Sequence, residues 1–583
     1  MHRLEKEIFE KLTHLIQQNL TNPAFSLSTI CRELGISRTQ LHRIVTAQSQ
    51  RSITLYIRKV RMLKAKELLV NTDLRVSEIT YEVGIDSPQN FSKYFTQEFN
   101  VSPTEFRKQN QTAESPAGTN PQVSIAVLPF VNMSSDPEQE YFCDGMTEEI
   151  INRLAQVSGL KIAGRTSSFT FKGQNMDVRQ IGQRLNVDFV LEGSIRKSGH
   201  TLRITVQLNN TADGYQVWSE RYDREAEEVF DIQDDISLSI LNRIKSNLLS
   251  HEKDAVLKRY TNNSEAYRLY LHGRFYDNKF AGAENFHKAI DYYRAAIAIE
   301  PRYAIAYSGM ASCYLNLWFY RYAPAGQCLP QLRQSAQRAL ELDDQIAESH
   351  LAVARLKMYY EWDLTGALNS FRKALELNHN MAEAHGQYAL CLSILEDVPQ
   401  ALTHALTAFD LDPFSLINNF YTGYIYWIAG DFQKALMQGK RLLDLEPNFW
   451  GGHIIMGFNL IKAKRYDEAL AELENALRQN YSGLTLSGYG SLLAMMGHRE
   501  KAREVLRQME ILNQTQPVAN YDMGIVYACL GDKDTACDFF EEAIALREPP
   551  MLFFRFIMRD WLAPFKNDPR YSALPDKVLL KGL

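Results

Sequence analysis

Two short polar stretches near the start of the chain carry the side chains best suited to recognition chemistry. Thr39, His42 and Arg43 fall at i, i+3 and i+4, which places all three on one face of a helix. Gln89, Asn90, Ser92 and Lys93 face outward from a second helix further along. Arg and Lys match the paired acceptors of guanine, and Gln and Asn match the donor and acceptor of adenine, so the expected chemistry is reading of base edges in the major groove of double-stranded DNA. Residues 34–66 hold Arg38, Arg43, Arg51, Arg58, Lys59, Arg61, Lys64 and Lys66 and no Asp or Glu. Phosphates are the natural partner of such a run. Arg38, Arg51, Arg58, Lys59, Arg61 and Ser92 are therefore expected on the DNA backbone, with affinity falling steeply as salt rises. Alone, a run of like charge is more often a solvated face, so the elements beneath it decide.

Those elements are two helix-turn-helix patterns. In SLSTICRELGISRTQLHRIVTAQ, Ile30 and Leu34 bury one helix, Gly35 permits a tight turn, Ser37 caps the next helix, and Leu41, Ile44 and Val45 bury it. In VSEITYEVGIDSPQNFSKYFTQEF, Ile79 and Val83 precede Gly84, Asp86 or Ser87 caps, and Phe91, Tyr94 or Phe95, and Phe99 are buried. Between them IRKVRMLKAKELLV reads as a long helix with Ile57, Val60, Leu63 and Leu68 marking its buried stripe. The region VRMLKAKELLVNTDLRVSEITYEVGIDSPQNFSKYFTQEFNVSPTEFR resembles the signature of the AraC/XylS family, through Arg61, Ala65, Leu68 and Leu69, the Ile79 and Gly84 turn, the Phe91, Phe95 and Phe99 spacing, and the closing Ser102, Pro103, Phe106 and Arg107. The resemblance implies two units on one long helix, presenting two recognition helices to successive turns of the major groove. Gln50 and Ile85 depart from the family pattern, away from the expected reading faces.

Charge agrees with this division. Residues 1–108 carry 16 Lys and Arg against 11 Asp and Glu, and the rest of the chain 48 against 58. A basic head on an acidic body points to a polyanion partner for the head. Other chemistries find little support. GLKIAGRT, residues 159–166, is one residue from a phosphate-binding loop, but Arg165 replaces its lysine, its interior is strand-like, and no helix is expected directly after it. The seven cysteines lack metal-site spacing, none of the 13 histidines forms HExxH, and no nucleophile triad is legible. No catalytic residue, metal or cofactor is expected, and the chain is not expected to be an enzyme. No apolar run reaches the roughly 18–20 residues of a membrane helix, and MHRLEKEIFEKLTHLI is no signal core. Membrane residence is not expected, and a cytoplasmic location is.

After QNQTAESPAGTNPQ, residues 109–122, which read as a flexible linker, the pattern changes. SIAVLPF, LKIAGR, DFVLEGSIRK and TLRITVQLNN are strands, with Ser198, Gly199 and His200 as a hairpin turn, and helices fall at 147–157, 178–185 and 229–249. Residues 123–250 are thus an α/β segment of mixed strand direction. From about residue 261 a small or apolar residue recurs at Ala289, Leu332, Ala367, Ala401, Ala435, Ala469, Ala502 and Ala536, spaced by 43, 35 and then 33 or 34. Seven residues beyond each lies a second packing position, twelve beyond lie Pro301, Pro413 and Pro447, and twelve before lie Gly423, Gly457, Gly490 and Gly524.

This pattern resembles eight tetratricopeptide repeats, with an enlarged second unit and Gln514 at the seventh unit's proline position, closed by a C-terminal capping helix. The 123–245 segment resembles TolB amino-terminal-like domains, which implies an α/β module and a bacterial source. Tyr292, Tyr293, Trp318, Tyr359, Tyr360, Trp427 and Trp450 could line a groove, though such residues more often fill space between helices. The expected fold is multidomain and mainly α: a double helix-turn-helix domain (1–108), the linker (109–122), a small α/β domain (123–250) and an α-solenoid (251–583). The expected function is an AraC-type, sequence-specific transcription regulator whose C-terminal part senses a protein, peptide or small ligand, with RNA polymerase as a further partner. The alternative is an interaction scaffold in which the repeats are the working part.

Overall fold

The computed structural model describes residues 8–9, 11–12, 15–16, 27–49, 52–71, 76–85, 87–99, 102–103, 123–136, 139–199, 201–225, 228–244, 250–279, 282–562, 565 and 567–579. The expected linker 109–122, along with Gln50, Arg51, Asp86, Phe106, Arg107, His200 and the side chains of Leu63 and Leu68, lies outside the described residues. The chain forms two compact units, 1–121 and 122–583.

In the first unit, helices α1 (Leu27–Leu34) and α2 (Arg38–Ser49) are followed by the long α3 (Ile53–Asn71), then α4 (Val76–Glu82) and α5 (Pro88–Phe99). Two cores are strung on α3. Ile53, Tyr56 and Val60 from its first half pack with Ile30, Leu41 and Val45. Met62, Ala65 and Leu69 from its second half pack with Ile79, Val83, Phe91 and Phe95. The buried stripe therefore changes face between Val60 and Met62, whereas a single continuous stripe was expected. Ile57 is only half-buried.

The second unit begins with a sheet. Strands β1 (Val123–Val127), β2 (Val131–Asn132), β3 (Leu160–Ile162), β4 (Phe189–Ser198), β5 (Thr201–Asn210) and β6 (Gln216–Glu225) form one sheet in the order β3-β1-β4-β5-β6, with β2 paired to β4. β1 runs parallel to β3 and β4, and β4-β5-β6 is an antiparallel meander, so the sheet is mixed as expected. The strand β6 was not anticipated. Its buried residues are Trp218 and Tyr222, and exposed Glu220 between them breaks the alternation that marks a strand. Helices α6 (Glu140–Leu154), α7 (Arg165–Phe169), α8 (Val178–Leu185), α9 (Val229–Ile244) and α10 (Ser250–Val256) complete the segment.

Eight antiparallel helix pairs follow: α11 (Ser264–Asp277) and α12 (Gly282–Ile299), α13 (Ala304–Phe319) and α14 (Ala325–Leu342), α15 (Ala347–Leu356) and α16 (Leu364–Leu377), α17 (Ala382–Ile394) and α18 (Val398–Leu411), α19 (Leu416–Ala429) and α20 (Phe432–Leu445), α21 (Trp450–Lys462) and α22 (Tyr466–Gln479), α23 (Gly483–Met495) and α24 (Arg499–Leu512), α25 (Asn520–Leu530) and α26 (Lys533–Ala545). A π-helical turn, Lys357–Glu361, extends α15. The eight aligned small or apolar residues and the eight positions seven beyond them are all 0% exposed. Ile299, Leu411 and Leu445 end their helices two residues before Pro301, Pro413 and Pro447. A methyl group on Gly457 would sit 2.9 Å from Leu473 and one on Gly524 2.7 Å from Phe540, so these helices approach too closely for a side chain. Asp363, Asp397, Asp431 and Asp532 each stand four residues before an aligned alanine and cap the second helix of their repeats.

Two expectations about this unit change. First, the α/β segment is not an independent layer ahead of the repeats. One apolar core runs from Ile125 and Leu191 through Tyr267 and Tyr293 to Leu356. On the other face of the sheet, Phe171 meets Phe414 of the array at 5.7 Å. Second, the C-terminal cap does more than close the last repeat. Its helices α27 (Phe554–Asp560) and α28 (Pro569–Leu579) follow a 3-10 turn, Pro549–Phe553. Phe553 packs on Tyr424, Trp561 on Phe458, Arg555 pairs with Glu396, and Lys462 pairs with Asp560, so the segment reaches back to repeats four, five and six.

Candidate nucleic-acid interface

The two helix-turn-helix turns are built by the same bonds. Gly35 N–H donates to Arg32 O (3.3 Å) and Ile36 N–H to Cys31 O (3.1 Å), while Gly84 N–H donates to Tyr81 O (3.0 Å) and Ile85 N–H to Thr80 O (3.0 Å). Both glycines have positive φ, +64° and +70°, where a side chain would be strained. The isoleucine after each glycine turns inward, which fits a hydrophobic partner closing a helix C-terminus. At the start of α2, Ser37 Oγ accepts from Gln40 N–H (3.2 Å) and Gln40 Oε1 accepts from Ser37 N–H (3.0 Å), a reciprocal cap. Ser87 Oγ accepts from Asn90 N–H at 3.3 Å and so takes the capping role at α5.

With Leu41, Ile44 and Val45 buried, Arg38, Thr39, His42, Arg43 and Thr46 are exposed and line one open depression. Thr46, not singled out among the candidate reading residues, completes that face one turn further on. On α5, Phe91 and Phe95 are buried and Gln89, Asn90 and Lys93 are exposed. The structure thus brings each expected reading set to one surface of its helix.

The expected phosphate set divides. Arg38 is exposed, Lys59 half-buried, and Ser92 half-buried and less open than Gln89, Asn90 and Lys93. The Arg58 guanidinium lies 4.5 Å from the centre of the Tyr94 ring, tying α3 to α5. Arg61 is a correction. Its Nη1 donates to the carbonyl of Gly84 at 2.9 Å, so the side chain holds the second turn instead of facing outward to a phosphate. Charge alone could not distinguish it from Arg38.

The phosphate-loop look-alike is also resolved in structure. A short helix does begin there, at Arg165 within the motif, with Gly164 as its N-cap, contrary to the expectation. That helix N-terminus is already filled from within the chain. Ser167 N–H and Oγ both donate to Asp412 Oδ1, and Gly164 N–H donates to Leu411 O at 2.6 Å. Arg165 pairs with buried Glu148, and burial raises that carboxyl less than Arg165 and Arg274 lower it. Among the described residues no group of three or more His, Cys, Asp and Glu is placed to hold a metal ion, and no helix is long and apolar enough to cross a membrane.

Comparison with known proteins places these features. Residues 30–109 match the model of a helix-turn-helix domain, and residues 121–239 that of the HilA/YgeH-like transcriptional regulator, second domain. The latter match, not a TolB-like one, falls on the sheet segment. "Putative adenylate cyclase 3" of Rhizobium meliloti (strain 1021) is 35% identical over 249 residues, 42% of this chain and 42% of that protein. The Msm operon regulatory protein of Streptococcus mutans serotype c is 38% identical over 85 residues, 15% of this chain and 31% of that protein. A solved transcriptional regulator of Chromobacterium violaceum, described as AraC-type DNA-binding domain-containing, is 27% identical with a TM-score of 0.18, covering 18% of this chain and 93% of its own. The chain spans less than half the length of the curated relatives it matches.

Proposed function

We propose that this chain, an AraC-type helix-turn-helix domain fused to an array of tetratricopeptide type, is a sequence-specific DNA-binding transcription regulator acting in the cytoplasm. One observation carries the reading: two turns made by the same hydrogen bonds present two exposed polar helix faces from a single rigid helix. Thr39, His42 and Arg43 read bases in one half-site and Gln89, Asn90 and Lys93 in the other. Arg38, Arg58, Lys59 and Ser92 meet phosphates, as does Arg51. Arg61 is left out of that set. RNA polymerase is the partner through which bound protein changes transcription, and the C-terminal unit supplies the signal.

The test is selection of genomic DNA fragments by the purified full chain, beside an Arg43→Ala, Lys93→Ala double variant. Enrichment of a common bipartite sequence by the parent, lost in the variant, is the expected result. Equal enrichment by both would remove the assigned faces. The cyclase relative adds a control. The reading contains no catalytic step, and formation of cyclic AMP from ATP by the purified chain would overturn that part of it.

A further inference from the structure

A partly open cavity of about 180 Å³ lies between α6, residues 255–260 and the second and third repeats. Its walls combine two carboxylates, Glu149 and Glu348, and two cations, Arg153 and Lys258, with the amides of Gln156 and Gln345 and the apolar side chains of Ile305 and Leu377. Glu149 is 9% exposed, lines this cavity, and has no hydrogen-bond or ion-pair partner among the described residues. Glu348, half-buried, is likewise unpaired among them and repels Glu149 electrostatically.

The two lining cations, and Arg274 behind them, are paired with other carboxylates. Arg153 pairs with Asp234 and donates to Val256 O, Lys258 pairs with Asp343 at 2.7 Å, and Arg274 serves Glu148. A buried carboxylate without a partner is costly unless something supplies its counter-charge. Burial, reinforced by Glu148 and Glu348 against Arg153 and Arg274, pushes Glu149 up to about 7. Two carboxylates are too few for a calcium or magnesium cage of six or more oxygens. An organic cation needs fewer, and the apolar wall suits its carbon chain.

We infer that this cavity binds a small organic cation, an alkylammonium or alkylguanidinium, with its head on Glu149 and Glu348 and its chain against Ile305 and Leu377. Such a ligand touches α6 of the sheet segment and the second and third repeats at once, so binding tightens their packing. The inference rests on the proposed regulator reading, in which the C-terminal unit takes the signal.

The test is calorimetric titration of the full chain at about pH 8, where Glu149 is ionised, with butylamine, 1,4-diaminobutane and butylguanidine, and with 1-butanol as the neutral control. The cations are expected to bind and to raise the melting temperature of residues 122–583, and the alcohol to do neither. Glu149→Gln and Glu348→Gln keep the shape and remove the charge. Each is expected to weaken binding by about tenfold or more, with circular dichroism unchanged. Affinity is expected to rise with pH through about 7, as the facing Glu149 ionises. No saturable heat from any cation into the millimolar range, or equal binding by both variants, overturns the inference. DNA selection by the same preparation separates the two ideas. Selective DNA binding without amine binding removes only the cavity assignment, and amine binding without DNA selectivity removes only the regulator reading.

Discussion

Arg38 and Arg61 are equivalent in charge and stand on neighbouring helices of one basic run, yet their guanidinium groups do different things. Arg38 is exposed beside the reading residues of α2, and Arg61 donates to the carbonyl of Gly84. Arg38→Ala is therefore expected to lower the slope of log affinity against log salt by about one contact's worth, with little change in folding. Arg61→Ala is expected to leave that slope unchanged and to cost about 1–3 kcal/mol of stability in the first unit, through a charge-assisted bond to a turn carbonyl. Salt titration of DNA binding beside chemical denaturation separates the two. Glu149 supports a second prediction at this scale. A carboxyl raised from 4.5 to about 7 holds its proton more tightly in the folded chain, so its stabilisation is full below about pH 4.5 and is lost as pH rises through about 7. Glu149→Gln avoids that loss. The variant is expected to gain on the parent across this window, by up to roughly 3 kcal/mol at pH 8. His272 and His385, both pushed down to about 4 by burial first, give the opposite slope between there and 6.5, so the difference between variant and parent is the quantity to measure.

At the scale of elements, what was legible from the residues is what local chemistry determines. The glycine turns, the Ser37 cap, the phenylalanine spacing of α5 and the eight small positions of the array all follow from contacts within one element or with its neighbour. What was not legible depends on segments distant in sequence. The stripe on α3 changes face because its halves serve different cores. The helix that starts at the end of GLKIAGRT forms against Asp412, some 245 positions away along the chain. That contact can be tested. Asp412→Ala removes the acceptor shared by Ser167 N–H and Oγ–H and leaves both donors without it, while Ser167 Oγ still accepts from Phe414 N–H, at an expected cost of about 1–3 kcal/mol to the second unit. The expected cost of Ser37→Ala is smaller, about 1 kcal/mol, and confined to the first unit. It is expected to weaken DNA binding only as far as α2 frays, which amide exchange of α2 against α5 would register.

For the whole molecule, the boundary that the composition change places near residue 250 is not where packing divides. The apolar core that begins at β1 ends in the third repeat, and Asn380 of the array bonds to Ile162 N–H, Ala155 O and Leu160 O of the sheet segment. Residues 122–583 are therefore expected to unfold in a single calorimetric transition, apart from that of residues 1–121. The C-terminal segment carries the same argument to the other end of the array. Phe554, Leu562, Tyr571 and Leu574 are buried almost completely, and Phe553 and Trp561 cover Tyr424 and Phe458. Each large apolar side chain buried contributes roughly 1.5–3 kcal/mol. Removing residues 549–583 uncovers the first helices of the fifth and sixth repeats along with the last pair. The truncated chain is expected to melt well below the parent in the second transition only, to bind an apolar dye that the parent does not, and to keep the DNA preference of the first unit. An unchanged second transition would mean that the array stands without its strap, and that the aromatic contacts across it add little.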